Sequence, residues 1–186
     1  MTITDLIEQL QPDVPGCPSA TLRDMLRWAQ RMLCTEGAAW VHREGPVVVG
    51  AKTDAPEIET PPGAEVLRIF TLLDAGRDLS PGSDYWQPTA ATVEFLREPS
   101  ADELDGSLVC RPAVGRDMPA DLLSRWDQAL IHGAKSRLFA LPQPWRDMAL
   151  SDYHSQHFQS AQVESKHLAS AGHQQGSLRM QVPRFV

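Results

Sequence analysis

Basic residues are scarce in this sequence. Seventeen Lys and Arg against 24 Asp and Glu leave a net charge of −7 and a pI near 5.3. The clustered cations on which phosphate-backbone binding depends are therefore missing, and stable nucleic-acid recognition is not expected. The simple reading of the charge is solubility. Cysteine is equally sparse: Cys17, Cys34 and Cys110 are three in number and widely spaced, which fits neither a disulfide scaffold nor paired C-x-x-C metal knuckles. They read as reduced thiols of a cytosolic protein, with Cys34 a small core residue.

Long apolar runs are absent too. No stretch approaches the roughly 18 apolar residues of a membrane span, and the segment Met1 to Leu10 carries acids and no basic residue before its apolar positions. The expectation is a chain made and kept in cytoplasm, without a membrane address.

The motifs of several chemistries are likewise missing. The chain has no G-x-S-x-G elbow, no phosphate loop ending in Gly-Lys-Ser or Gly-Lys-Thr, and no G-x-G-x-x-G after a strand. His154 and His157, with His167 and His173 downstream, form the one cluster that suggests a metal. One helical turn separates the first two, but zinc takes three or four ligands, and neither a cysteine pair nor an H-E-x-x-H glutamate accompanies them. They read as surface or interface residues. Asp102, Glu103 and Asp105, between Pro99 and Gly106, read as a solvated acidic loop. No catalytic, cofactor-binding or metal-binding residue is assigned, and the chain is expected not to be an enzyme.

What is present is an ordinary globular composition, 42% hydrophobic and 22% charged over 186 residues, enough to bury roughly two thirds of the unfolded surface. Ile3 to Leu10 is amphipathic and runs into the proline-rich stretch Gln11 to Pro18, where a helix cannot continue. Ser19 or Thr21 can cap a second helix whose Leu22, Met25, Leu26, Ala29, Met32 and Leu33 share one face bordered by Trp28, with Gly37 ending it.

From Ala38 to Ala113 the period changes. Strand-like runs cover Ala39 to His42, Pro46 to Ala51, Glu65 to Leu73, Thr92 to Leu96 and Ser107 to Ala113, with turns at Leu73 to Leu79 and Pro81 to Asp84. Helical period returns after Pro119, where Leu122, Leu123, Trp126, Leu130, Ala134, Leu138 and Leu141 predict one long helix with Trp126 in the core. Gly133 and Ala134 within it permit close approach of another helix. Leu141 to Trp145 is a hard stop, with Trp145 plugging the junction. A last helix is predicted from about Asp147 to Ala171, its apolar side Met148, Leu150, Tyr153, Phe158, Ala161 and Leu168, and Gly172 its terminator.

The predicted fold class is α+β. Residues 1–38 and 118–172 form a helical bundle, 39–117 an inserted small antiparallel β lobe, and 173–186 an extended C-terminal arm with little surface to bury on its own.

Four passages, taken in order, resemble the head-to-tail adaptor (connector) family of tailed bacteriophages, including the tail tubular or gatekeeper adaptors. These are Asp13-Val14-Pro15-Gly16-Cys17-Pro18 with the helix ending at Leu33-Cys34 and then Ala39-Trp40; the turn from Leu73 to Leu79; Leu130 to Leu138 running into Pro144-Trp145; and Tyr153 with Phe158.

The resemblance implies a structural virion protein of the neck, assembled from host cytoplasm into a ring, commonly a dodecamer, between the capsid portal and the tail. The ring would pass DNA during genome ejection without sequence-specific binding, and would meet the portal protein above and the next tail or nozzle component below. In such a ring an acidic inner wall would repel DNA and let it slide past. The arm would reach the portal, with Met180, Val182, Arg184 and Phe185 as the contacts: Arg184 pairing to acid, Val182 and Phe185 filling apolar pockets. Two alternatives stay open: a tail terminator or completion protein of the phage neck, and a small metal hydrolase using His154 and His157.

Overall fold

A computed structural model describes residues 1–171. Met180, Val182, Arg184, Phe185 and Gly172 lie outside the described residues, as does His173. The fold is α+β, with helices at both ends of the described chain and strands between them.

The opening helix α1, Ile3–Leu10, starts at a capping box: the Thr2 amide donates to the Asp5 carboxylate at 2.7 Å while the Asp5 amide donates to the Thr2 hydroxyl. A 3-10 turn, Gln11–Asp13, follows, and α2 spans Ser19–Gly37. Neither Ser19 nor Thr21 caps α2. Pro18, extended at φ −61° and ψ 137°, holds that position, and no side chain bonds the first amides. At the other end Gly37 is the last helical residue, and Ala38 takes the left-handed conformation at φ 52°. Gly37 is needed for proximity instead: a Cβ there would lie 3.0 Å from the Gln162 carbonyl and 3.1 Å from Ser165 Cβ.

The lobe is built on a four-stranded antiparallel sheet. Its strands are β1 (Trp40–His42), β4 (Ala64–Asp74), β5 (Arg77–Asp78) and β8 (Asp105–Pro112), in the order β1-β8-β4-β5. Two-stranded ribbons flank it: β2 (Val48–Val49) with β3 (Glu57–Ile58), and β6 (Tyr85–Trp86) with β7 (Glu94–Phe95). The alternation of buried side chains along β4 slips at two bulges, between Val66 and Arg68 and between Ile69 and Thr71, which is how Ala64, Val66, Ile69, Leu72 and Asp74 all face inward. Strand β8 is central, Ser107 to Cys110 are buried in succession, and α2 covers one of its faces. The Ala75-Gly76 turn predicted between Leu73 and Leu79 joins β4 to β5, both central residues at positive φ.

Beyond the lobe the expected single helix is two. Helix α3, Ala120–Arg125, stops at Trp126, whose φ −110° and ψ 18° leave the helical region, and α4, Asp127–Leu138, starts anew. Trp126 is buried, as the stripe suggests, but the break separates α3, which lines a cleft together with β1, from α4, which packs on α2 and α5. Helix α5 spans Met148–Ala171. The helices α1, α2, α4 and α5 form one bundle, and its core is continuous with that of the lobe. Trp145 packs against that core at the α4–α5 junction.

Polar ties fix the lobe to α2. The Glu65 carboxylate accepts from Arg31 at 3.1 and 3.2 Å and from Arg111 at 2.9 Å, Arg27 pairs with Asp117 at 2.9 Å, and the Met118 amide donates to Gln30 Oε1 at 2.7 Å. The Arg31 hydrogen bonds, with Arg111, hold the Glu65 carboxyl down at about 2.

Candidate functional site

Helix α5 is the element whose surroundings differ most from the sequence reading. Its expected apolar side divides: Phe158 is buried and Ala161 and Leu168 are half-buried, but Met148, Leu150 and Tyr153 are exposed. At 100° per residue these three lie off the stripe through Ser151, Phe158 and Ser165 that faces the bundle. Serines occupy that stripe because the helices approach closely. Ser165 sits against Gly37, and the Ser151 hydroxyl donates to the Ser136 carbonyl at 2.6 Å.

The opposite face of α5 carries Tyr153, Gln156, Ser160, Val163 and His167, all exposed and spaced by three and four residues, the spacing of a helix–helix seam. In its 24 residues α5 has three charged side chains, Asp152, Glu164 and Lys166, whereas α2 has five in 19 (Arg23, Asp24, Arg27, Arg31 and Glu36). An ordinary solvated face is rich in Lys and Glu. This one has Val163 at 57% and Tyr153 at 51% exposure instead. It is a neutral stripe about 20 Å long at 1.5 Å per residue, with Asp152 and Glu164 exposed along its two edges.

Histidines gather near the N-terminal end of α5, and one of them comes from α4. His132 Nδ1 lies 2.8 Å from His154 Nδ1, His157 stacks on His132 with ring centroids 4.8 Å apart, and Phe139 stacks on His154 at 5.6 Å. Tyr153 meets His154 and His157 edge-on at 5.2 and 4.4 Å. Desolvation, with neighbouring His132 and Lys135, pushes His154 down to about 4, and desolvation with His157 and Lys135 lowers His132. The sequence pairs His154 with His157 and gives no sign of His132; its place 22 residues upstream, facing α5 across the hairpin, is set by the helix packing alone. His167 lies on the neutral stripe, away from this cluster. Among the described residues, no group of three His, Cys, Asp or Glu side chains is arranged to hold a metal ion.

A cleft of about 520 Å³ opens between the lobe and the bundle, lined by Trp40, Arg43, Leu122, Arg125 and Leu168 among others. The described part of α5 ends at Ala171, one turn past Leu168. Asp102, Glu103 and Asp105 are exposed, and the Asp102 carboxylate accepts from the Lys52 amide at 3.2 Å. Cys17, Cys34 and Cys110 are free and buried, and burial pushes the Cys34 thiol up to about 12 and that of Cys110 to about 11. No helix among the described residues is long and apolar enough to cross a membrane. Compared with known proteins, the chain matches no family model and no curated protein sequence.

Proposed function

We propose that this chain is a structural subunit of a tailed-phage neck, a head-to-tail adaptor that self-associates into a ring between portal and tail and performs no catalysis. The observation that carries this reading is the neutral stripe of Tyr153, Gln156, Ser160 and Val163 along the outer face of α5. A ring contact is heterologous, so a rigid helix can offer one face to its neighbour while its other face stays in the subunit's own bundle. The scarcity of charge on α5 lowers the desolvation cost of covering that face. The resemblance in segment order supplies the portal as partner and the dodecamer as the expected ring.

The cleft beside Leu168 puts the end of the described α5 at the boundary between bundle and lobe. From there the remaining residues, with Met180, Val182, Arg184 and Phe185, are assigned to the portal. Deletion from Gly176 onward tests that assignment: a folded protein that no longer binds portal is expected, and unchanged binding refutes it. Stoichiometry separates this reading from the tail-terminator alternative, for which a hexamer is expected.

A further inference from the structure

We propose that the imidazoles of His132, His154 and His157 form an acid-operated latch on the α4–α5 hairpin, closed while His132 or His154 is neutral and opened when both carry a proton. The geometry makes this a two-proton device. A hydrogen bond between two Nδ1 atoms 2.8 Å apart needs one N–H donor and one lone pair. Two neutral rings can make it with suitable tautomers, and a singly protonated pair makes it with charge assistance. The doubly protonated pair cannot: both Nδ1 atoms then carry hydrogens aimed at each other, and the rings must part.

The side chains around the half-buried pair offer little to offset a second charge. Facing the pair are His157 and Tyr153 from α5, Lys135 from α4 and Asp13 from the 3-10 turn. Lys135 is bound to Asp13 at 2.8 Å, so the one carboxylate that acts on His154 among the described residues already has a partner. The buried ring of Phe139 stacks on His154. The second proton therefore enters among His157, Lys135 and an aromatic ring, and relief comes by moving the two helices apart.

Tyr153 connects the latch to the outer face of α5, because it touches His154 and His157 and also begins the neutral stripe. Opening the seam therefore displaces one end of that stripe. The latch itself does not depend on the connector reading, since it is a property of one subunit.

Hydrogen exchange of the full chain between pH 7 and pH 4, corrected for intrinsic rates, tests it. Amides of 130–139 and 151–158 are expected to lose at least ten-fold protection across that range while those of β8 keep theirs. In His154→Asn, whose amide bonds His132 without titrating, and independently in His132→Gln, the seam is expected to stay protected at pH 4. A wild-type seam that stays protected at pH 4, a seam that opens only together with β8, or a folded His154→Asn that opens as the wild type does would each overturn the latch. Because the wild-type curve alone can refute it, a variant that fails to fold does not shield the proposal. Self-association, followed separately by sedimentation, distinguishes failure of the latch from failure of the connector reading.

Discussion

Gly133 of α4 and Phe158 of α5 compete for one volume: a Cβ at position 133 would fall 2.8 Å from Phe158 Cε2, with Ala29 Cβ of α2 at 2.9 Å on the other side. Three helices meet at this point, and the glycine is what lets them. Phe158 also packs against Trp28, over which the Arg137 guanidinium lies 4.6 Å from the ring centre. Gly133→Ala should therefore destabilise the protein. The better helix propensity of alanine contributes about 1 kcal/mol, but overpacking costs about 1–3 kcal/mol. Urea denaturation should show a net loss of up to about 2 kcal/mol with an unchanged slope.

Glu65 should make stability depend on pH in a range of its own. Its carboxyl is held at about 2 by Arg31 and Arg111, against an ordinary 4.5. The contribution is fully present above pH 4.5 and is lost as pH falls through 2. Water reaches a third of the side chain, so the full electrostatic value is discounted to about 1–2 kcal/mol. Glu65→Gln should be less stable than wild type at pH 7, and the two denaturation midpoints should converge towards pH 2.

The histidine seam should act in the window above that one. His132 and His154 titrate below the ordinary imidazole value of 6.5, His154 at about 4. The unfolded chain thus binds protons first as pH drops, and stability is intact above 6.5 and declines towards 4. Replacing His154 by Asn should flatten the decline in melting temperature between pH 6.5 and pH 4.

The thiols should be silent in the native protein. Cys34 and Cys110 are buried, and their thiols are raised to about 12 and 11, so little thiolate exists to react at neutral pH. With Cys17 also buried and raised, a disulfide-exchange reagent should titrate none of the three rapidly in native buffer and all three in denaturant.

Charge on the neutral stripe should break self-association and little else. Ser160→Glu combined with Val163→Glu places two acids on an exposed face of α5, where each changes stability by about 0.5 kcal/mol or less. Sedimentation should show a folded monomer. A double variant that assembles like the wild type removes α5 as the interface.

The fold was largely legible because its signals are local. Ile3 to Leu10, the stripe from Leu22 to Leu33, the long strand read over Glu65 to Leu73 and the turn from Leu73 to Leu79 each announce themselves within a dozen residues. Features that depend on distant partners were not legible. The break at Trp126 interrupts an unbroken helical pattern, and the two-residue strands β3, β5 and β6 exist only through their pairings. On α5, Met148, Leu150 and Tyr153 are apolar yet exposed, while Ser151 and Ser165 are polar yet buried. Hydrophobicity alone therefore misplaced that helix's inner face. His132 entered the histidine cluster from another helix for the same reason.

The most direct measurement is electron microscopy of the full chain, alone and mixed with a tailed-phage portal. A ring that docks coaxially on the portal with matching symmetry, α5 packed against its neighbour, is the expected image. A particle that stays monomeric in the presence of portal, or a ring that leaves the outer face of α5 in solvent, contradicts the connector reading.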